Sequence, residues 1–340
     1  MREIIIDGKP YIDFKVGADP EMRIKGMNAR PYLPEHGAFG SDGPNSKIAE
    51  LRPSPHYDPI NLVAEVQSVL RDGYRRFPRI QKMDWLGGTY QENCPIGGHI
   101  HFESPYKKDL ELKLDALDRL LAPVVLMLEE TEEAVSRRNG TQYGKLALTS
   151  SLRADETRRG FSLQESYGGF EYRPLGSWLV SRQIAAGIIS LGKVIVFEAS
   201  NDSLKDRVAR TIKYVERKPT GEFDSAYMAC DKLYLAKEIP TILRIVQNYK
   251  LYPKYAKYIT GLFHLIEMGR TWDSKIDIKK RWNIVQNTVV EQKKSIVPQK
   301  PSMASAWDNF GAAKIVAPET ERPSVFGIVR ELKATYTIGA

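Results

Sequence analysis

The order of strand-like and helix-like segments along this chain predicts an α+β fold. Short segments rich in β-branched and aromatic residues cluster before residue 175, and helical periodicity dominates from about residue 180. This segregation does not fit a barrel of repeated βα units. At 340 residues, with 42% hydrophobic and 27% charged residues, the chain has globular composition and the length of one large domain or two ordinary ones.

The strand segments are short and are bounded by glycine and proline. Two of them, Arg2–Ile6 and Tyr11–Val16, flank Asp7-Gly8 and predict a hairpin. A loop rich in glycine and proline is expected over 28–45. Further strands are predicted at 48–52, at 83–90 with a break at two glycines, around His99–Phe102, and within 161–172.

Helix signals are clear in the rest of the chain. Asp58 followed by Pro59 is a strong helix start, and the apolar spacing continues to about Tyr74. A long helical segment is predicted over 110–138, which Pro123 should kink or split. An apolar helix is expected over 180–199, and 204–282 should be mostly helical with breaks at Pro219, Pro240 and Pro253.

Charge and composition divide the chain into three parts. We predict a core over residues 1–200, a basic helical region over 201–297 packed on that core, and an extended tail over 298–340 rich in Pro, Ser and Ala. The net charge is +8, and residues 201–340 hold 24 Lys and Arg against 15 Asp and Glu. This excess suits an acidic partner, a nucleic acid or a nucleotide, but solvated lysine-rich helix faces explain it equally well.

The chain lacks the sequence marks of secretion and membrane insertion. Its two cysteines, Cys94 and Cys230, have no CxxC spacing, and no apolar segment has the length of a membrane span. The start Met1-Arg2 is followed by only three isoleucines, which do not make a signal peptide. We therefore expect a cytoplasmic protein without membrane contact, of undetermined oligomeric state.

Four short extended segments each place ligand-type side chains on one face, because alternate residues of a strand point the same way. The pairs are Asp19/Glu21, Glu50/Arg52, His99/His101 and Glu171/Arg173. Pro20, within the first pair, has no N–H for a ladder bond, so that strand is expected at a sheet edge or interrupted.

These residue types favour a divalent metal that carries phosphate. Carboxylate oxygens suit Mg²⁺ or Mn²⁺, and zinc is disfavoured without an HExxH motif, a third clustered histidine or a cysteine pair. Arginines beside carboxylates suit a nucleotide phosphate bridged by metal ions. Singly, Glu50–Arg52 and Glu171–Arg173 are also explained as cross-strand ion pairs on an exposed face. Asp42, before Gly43, is either turn chemistry or a further ligand.

Several motifs together resemble the glutamine-synthetase-like carboxylate–amine ligases, and more narrowly their phage-encoded branch, the phiEco32-like COOH.NH2 ligases of type 2. The resemblance covers about residues 14–200. It is carried by GADPEM (17–22), SDGPNSKIAELRP (41–53), CPIGGHIHF (94–102), the segment from Tyr143-Gly144 to Arg153, and GGFEYRPLGSWL (168–179).

The resemblance implies a curved antiparallel sheet with a glutamine-synthetase/glutamate-cysteine-ligase-like core, whose concave face holds ATP and Mg²⁺ or Mn²⁺. An acyl phosphate made from ATP would then react with an amine, in host cytoplasm if the protein is phage-encoded. The implied metal ligands are Asp19, Glu21, Asp42, Glu50, Glu171 and His99, with His99, His101 and Arg173 towards the ATP phosphates; the phosphoryl-stabilising residues are Arg52, Arg173 and, more weakly, Arg153.

Some features leave alternatives open. Related ligases often have Glu where this chain has Asp19, which would shift the metal. Only one of His99 and His101 is expected to bind directly, with His99 favoured because it is next to the glycines. The 28–45 loop is a candidate lid. The competing functions are a metal-dependent hydrolase or phosphotransferase that uses the same cluster, and a non-enzymatic phage structural or nucleic-acid-associated protein.

Overall fold

The computed structural model describes residues 1–43, 46–104, 108–148, 160–164, 166, 168–215 and 221–285. Arg153, Pro219 and the 298–340 tail lie outside these residues. The strands are β1 (Arg2–Ile6), β2 (Lys9–Asp13), β3 (Val16–Ile24), β4 (Phe39–Ser41), β5 (Ile48–Leu51), β6 (Trp85–Leu86), β7 (Tyr90–Gln91), β8 (Cys94–Pro95), β9 (Gly98–Phe102), β10 (Phe161–Gln164) and β11 (Gly169–Tyr172).

Most helices follow the strands, as the segregation of patterns predicts. They are α1 (Pro59–Arg76), α2 (Pro78–Gln81), α3 (Leu110–Leu120), α4 (Ala122–Leu128), α5 (Thr131–Gly140), α6 (Arg182–Ser200), α7 (Asp202–Val215), α8 (Glu222–Met228), α9 (Lys232–Ala236), α10 (Ile239–Gln247), α11 (Tyr252–Glu267) and α12 (Ile278–Arg281). The predicted α+β class is confirmed.

The main sheet is antiparallel and open. Its strand order is β10-β11-β9-β3-β5-β4, and β6 also pairs with β3. Every pair in it is antiparallel. The expected β1–β2 hairpin forms a separate pair, with positive φ at Asp7 and Gly8, although β2 ends at Asp13 and β3 starts anew at Val16.

The prediction that the strand through Pro20 is at an edge or interrupted is wrong. β3 runs unbroken through the interior of the sheet, with Pro20 opposite Gly98 of β9. On the other side, pairing with β5 begins only at Glu21. Pro20 therefore lies just outside the β3–β5 ladder, where the missing N–H leaves no ladder bond unmade.

The structure also refines several element boundaries. The 28–45 loop contains a strand, β4, which was not predicted because it is only three residues long. The long helical segment is split into α3, α4 and α5. Pro123 lies in the first turn of α4, where a backbone N–H has no acceptor within the helix, so the N–H that proline lacks costs no hydrogen bond. Pro240 and Pro253 likewise lie in the first turns of α10 and α11.

The two faces of the sheet differ in polarity. One face carries the apolar side chains of the strands, such as Ile100, Phe102 and Phe170, all fully buried. Helix α6 packs on this face, with Gly192 against the Phe102 ring. The expectation that no apolar segment has the length of a membrane span is wrong for α6, which is the one helix among the described residues with that length and composition. Of that window, 89% is buried in the protein. The other face is left for polar side chains.

A single apolar core joins the predicted core and helical regions. It includes Val208 and Ile212 of α7 and Ile259 and Leu262 of α11 together with the strand residues. Trp282 donates from its indole N–H to the Leu179 carbonyl at 2.6 Å, which fixes the end of the helical region against the start of α6. The division at residue 200 stays a prediction.

Candidate active site

Strand register brings the predicted ligands of the four pairs into one row on the polar face. Glu171 of β11 lies opposite His101 of β9. His99 of β9 lies opposite Asp19 of β3. Glu21 of β3 in turn lies opposite Glu50 of β5. Directly opposed residues share a face, so the row crosses four adjacent strands.

The tightest group in this row is Asp19, His101 and Glu171. One ligand atom from each lies within 4.8 Å of the others. His101 Nε2 is 3.1 Å from Asp19 Oδ1. His99 Nδ1 approaches the same two carboxylates, at 3.4 Å from Asp19 Oδ1 and 3.2 Å from Glu171 Oε1. Both histidines therefore face the group.

The second half of the row holds Glu21 and Glu50. Glu21 Oε2 accepts a 2.6 Å hydrogen bond from the Gly97 N–H, and a Cβ at Gly97 would collide with the His99 ring. The glycine thus permits close approach of the β9 backbone to both side chains. Asp42 is exposed, but its charge contributes to raising the pKa of both glutamates, so it lies at this end of the site.

The two halves of the row differ in protonation. Burial alone would raise the pKa of Asp19 and Glu171. Instead, interactions with His101 and His99 bring that of Asp19 well below its usual range, and hydrogen bonds from His99 and Arg173 bring that of Glu171 to about 2. The pKa values of both histidines are raised despite burial, chiefly by Asp19. Burial raises the pKa of Glu21 to about 7 and that of Glu50 to about 8.

Arginines pair with the outermost carboxylates. Arg173 holds Glu171 through two 2.8 Å hydrogen bonds, Nε to Oε1 and Nη2 to Oε2. Arg52 pairs with Glu50 and also donates to the Ser41 and Gly37 carbonyl oxygens, at 3.0 and 3.3 Å. The predicted same-face pairs are thus ion pairs at the two ends of the row.

Several residues of the site were not predicted from the sequence. The Tyr143 ring lies beneath the Arg173 guanidinium at 5.2 Å and beside His99 at 6.4 Å. Ser162 Oγ and Gln164 Nε2 donate to Glu171 Oε2 at 2.7 and 3.2 Å. The basic and aromatic residues around Tyr143 are a sequence signal that could have identified this residue. For Ser162 and Gln164 the sequence shows only that they alternate along β10, which does not indicate a site.

Arg137, beneath the site, was also missed. It is buried and donates to the Ile96, Pro174 and Arg173 carbonyl oxygens at 3.1, 3.0 and 3.2 Å. These contacts connect the segment before Gly97 to the end of β11. Burial lowers its pKa, and its charge partly offsets that of Glu21. No sequence signal identified it.

The donor set fits a divalent cation. Oxygen ligands predominate, an imidazole nitrogen completes the tightest group, and the carboxylates are crowded enough to repel one another. Burial keeps the pKa values of Glu21 and Glu50 raised, although His99 and Arg137 lower that of Glu21 and Arg52 lowers that of Glu50. A bound cation would add positive charge that favours both ionised carboxylates.

Comparison with known proteins gives one family. Residues 16–284 match the family described as Phage phiEco32-like COOH.NH2 ligase-type 2, so the match extends well past residue 200 into the helical region. No curated protein matches the chain in sequence. Among solved structures, it is similar to a bifunctional glutathione synthetase from Pasteurella multocida, at 10% identity and a TM-score of 0.37. The similarity covers 80% of this chain and 51% of that one, so the chain spans about half that protein's length.

Proposed function

Because the chain belongs to the family of phage phiEco32-like COOH.NH2 ligases, type 2, we propose that it joins a carboxylate to an amine at the expense of ATP. The observation that carries this proposal is the row of carboxylates and histidines across four adjacent strands, with an arginine at each end. Carboxylates are poor acyl donors at neutral pH, so amide formation needs an activated intermediate.

We assign the metal ligands to the row itself. Asp19, His101 and Glu171 would hold one Mg²⁺ or Mn²⁺, and Glu21 and Glu50, with Asp42 near them, would hold another. His99, in contact with both Asp19 and Glu171, would turn to a phosphate oxygen. Bound there, the cations would supply charge neutralisation for the phosphates.

The proposed reaction has two steps. A carboxylate oxygen of the substrate attacks the γ-phosphorus of ATP, ADP leaves, and an acyl phosphate forms. An amine then attacks the acyl carbon, inorganic phosphate leaves, and the amine gives up a proton. Arg173 and Arg52 stabilise the negative charge on the transferring group, and Arg153 is a third candidate for that task.

The proposal is tested by nucleotide dependence. The purified protein should bind Mg²⁺-ATP in calorimetry and should release ADP only when a carboxylate and an amine are both supplied, found by screening amino acids and peptides. Glu21→Ala and Glu171→Ala should abolish binding of Mg²⁺-ATP, because each removes a cation ligand.

Glu3→Ala, on the exposed outer face of the hairpin, is the matched control and should leave binding unchanged. A protein that binds no Mg²⁺-ATP would contradict the proposal. ADP release that needs no amine would instead indicate a hydrolase or phosphotransferase.

A further inference from the structure

Glu171 belongs to two sets of contacts that compete for it. Its carboxylate is part of the group with Asp19 and His101 that fits a cation. The same two oxygens each accept a 2.8 Å hydrogen bond from Arg173. A bidentate pair of this kind is strong and neutralises the guanidinium. The carboxylate cannot fully serve a cation and Arg173 together.

Resting on the ligase function above, we propose that Glu171 is a latch on Arg173. Without a cation, Glu171 holds the guanidinium and cancels its charge, so Arg173 offers little to a phosphate anion. A cation bound at Asp19, His101 and Glu171 neutralises the Glu171 carboxylate and so frees Arg173. The site therefore binds the divalent cation first and the phosphate anion second.

The neighbouring residues suit both states of the latch. Ser162 Oγ and Gln164 Nε2 also donate to Glu171 Oε2, so they keep the carboxylate in place when Arg173 leaves it. The Tyr143 ring faces the guanidinium at 5.2 Å, and this cation–π contact does not need the carboxylate. Arg137 donates a hydrogen bond to the Arg173 carbonyl oxygen and so fixes the backbone of Arg173. Within the Glu171–Arg173 pair, only the Arg173 side chain has to move.

Arg52 at the other end of the row is held differently. Besides Glu50 it donates to the Ser41 and Gly37 carbonyl oxygens. Those bonds remain when a cation takes up the charge of Glu50, so Arg52 stays in place. The latch is therefore confined to the Glu171–Arg173 pair.

The test is a double-mutant cycle read by ATP binding in excess EDTA, where no divalent cation is free. Glu171→Gln should tighten metal-free ATP binding about tenfold, because an amide cannot hold Arg173 through two charged hydrogen bonds. The same change in the Arg173→Gln background should give less than a twofold gain. If Glu171 were only a cation ligand, Glu171→Gln would not tighten ATP binding in EDTA.

Glu21→Gln is the matched control, since it makes the same substitution on the same face at a carboxylate bonded to a backbone N–H. Any gain it gives should be equal with and without Arg173. The latch is overturned if Glu171→Gln gives no gain, or if its gain survives removal of Arg173. Thermal unfolding shows whether each variant is folded. If Glu171→Gln does not fold, Glu171→Asp takes its place, because the shorter side chain holds its carboxylate farther from Arg173.

Failure of the latch and failure of the ligase function are distinguishable. A wild-type protein that binds Mg²⁺-ATP and forms ADP with both substrates, but whose Glu171→Gln variant shows no Arg173-dependent gain, keeps its function and loses the latch. The cycle in EDTA needs no cation and no turnover, so it gives its result even if no substrate pair is found.

Discussion

Asp118 is a single buried carboxyl that joins the Tyr143 segment to the sheet. Its Oδ1 accepts from the Ala147 N–H at 3.0 Å and from the Tyr172 hydroxyl at 2.7 Å, and its Oδ2 accepts from the Leu148 N–H at 2.9 Å. Burial nevertheless raises its pKa to about 7. In an unfolded chain the pKa of Asp is about 3.9.

This shift predicts a pH dependence of stability. Between about pH 4 and pH 7 the folded state binds the Asp118 proton more tightly than the unfolded state, so this carboxyl contributes less stability as pH rises, with no further change above about pH 7. Asp118→Asn removes the titration. Between pH 5 and pH 7.5, we expect the free energy of unfolding of the wild type to fall by about 2 kcal/mol relative to that of the variant. Urea unfolding of both proteins at the two pH values measures this difference, and parallel pH profiles would contradict the prediction.

At the same residue scale, the sequence could place the ligands on faces but not beside one another. Strand alternation alone puts Asp19 with Glu21, and His99 with His101. That Glu171 lies opposite His101 depends on register between strands about 70 residues apart, which no local pattern specifies. Arg137 was missed for the same reason, because its acceptors are backbone carbonyls of distant segments.

At the scale of elements, α1 packs against β4 through a glycine. A Cβ at Gly73 would overlap the Phe39 ring, and that ring is held between Phe77 and Trp85 at centroid distances of 5.8 and 5.4 Å. Helix propensity alone favours alanine over glycine by about 1 kcal/mol. Here the overlap outweighs propensity, because the aromatic ring has no room to move.

Gly73→Ala should therefore lower the free energy of unfolding by about 1–3 kcal/mol in urea titrations. Gly261→Ala in α11 is the matched control, because its Cβ would meet only Gln183 Nε2 at an ordinary 3.6 Å. That variant should be stabilised by up to about 1 kcal/mol. Equal effects of the two substitutions would show that the α1–β4 contact is looser than described.

The same contact explains why β4 was not predicted. Its three residues, Phe39–Ser41, carry too short a pattern, and they form a strand only because β5 pairs with them and Phe39 is buried under α1. The helix starting at Pro59 was predictable because its signal is local: Asp58 Oδ1 accepts from the Ile60 N–H at 2.9 Å. The prediction from Pro20 was wrong because proline disfavours an inner strand only where its N–H is needed for a ladder hydrogen bond. Which residues make ladder bonds is decided by the pairing of distant strands, which the local sequence does not show.

At the scale of the whole molecule, the strands and the helical region share α6. Gly187 of α6 allows α11 to come close, since a Cβ there would be 3.0 Å from the Tyr258 carbonyl oxygen and 3.2 Å from Leu262 Cβ. Removing the chain after residue 200 would expose this face of an almost fully buried helix.

We therefore expect a fragment of residues 1–200 to show no cooperative unfolding transition, whereas the full chain unfolds cooperatively. Exposing apolar surface costs about 25 cal/mol per Å², so exposing about 400 Å² would cost about 10 kcal/mol, which is comparable to a typical domain stability of about 5–15 kcal/mol. Circular dichroism and tryptophan fluorescence during heating provide the comparison. A sharp transition in the fragment would establish residues 1–200 as an independent domain.

The position of β9 between β3 and β11 also governs when the site can form during synthesis. Residues 16–102 leave the ribosome first and can pair as β3 and β9, with Asp19 already beside His99 and His101. Glu171 is translated about 70 residues later, and until then the outer edge of β9 is open. His99 and His101 cover one face of β9, and the apolar Ile100 and Phe102 cover the other. A polypeptide released before residue 169 would keep the histidines but would lack both Glu171 and Arg173, so it could not complete the cation group.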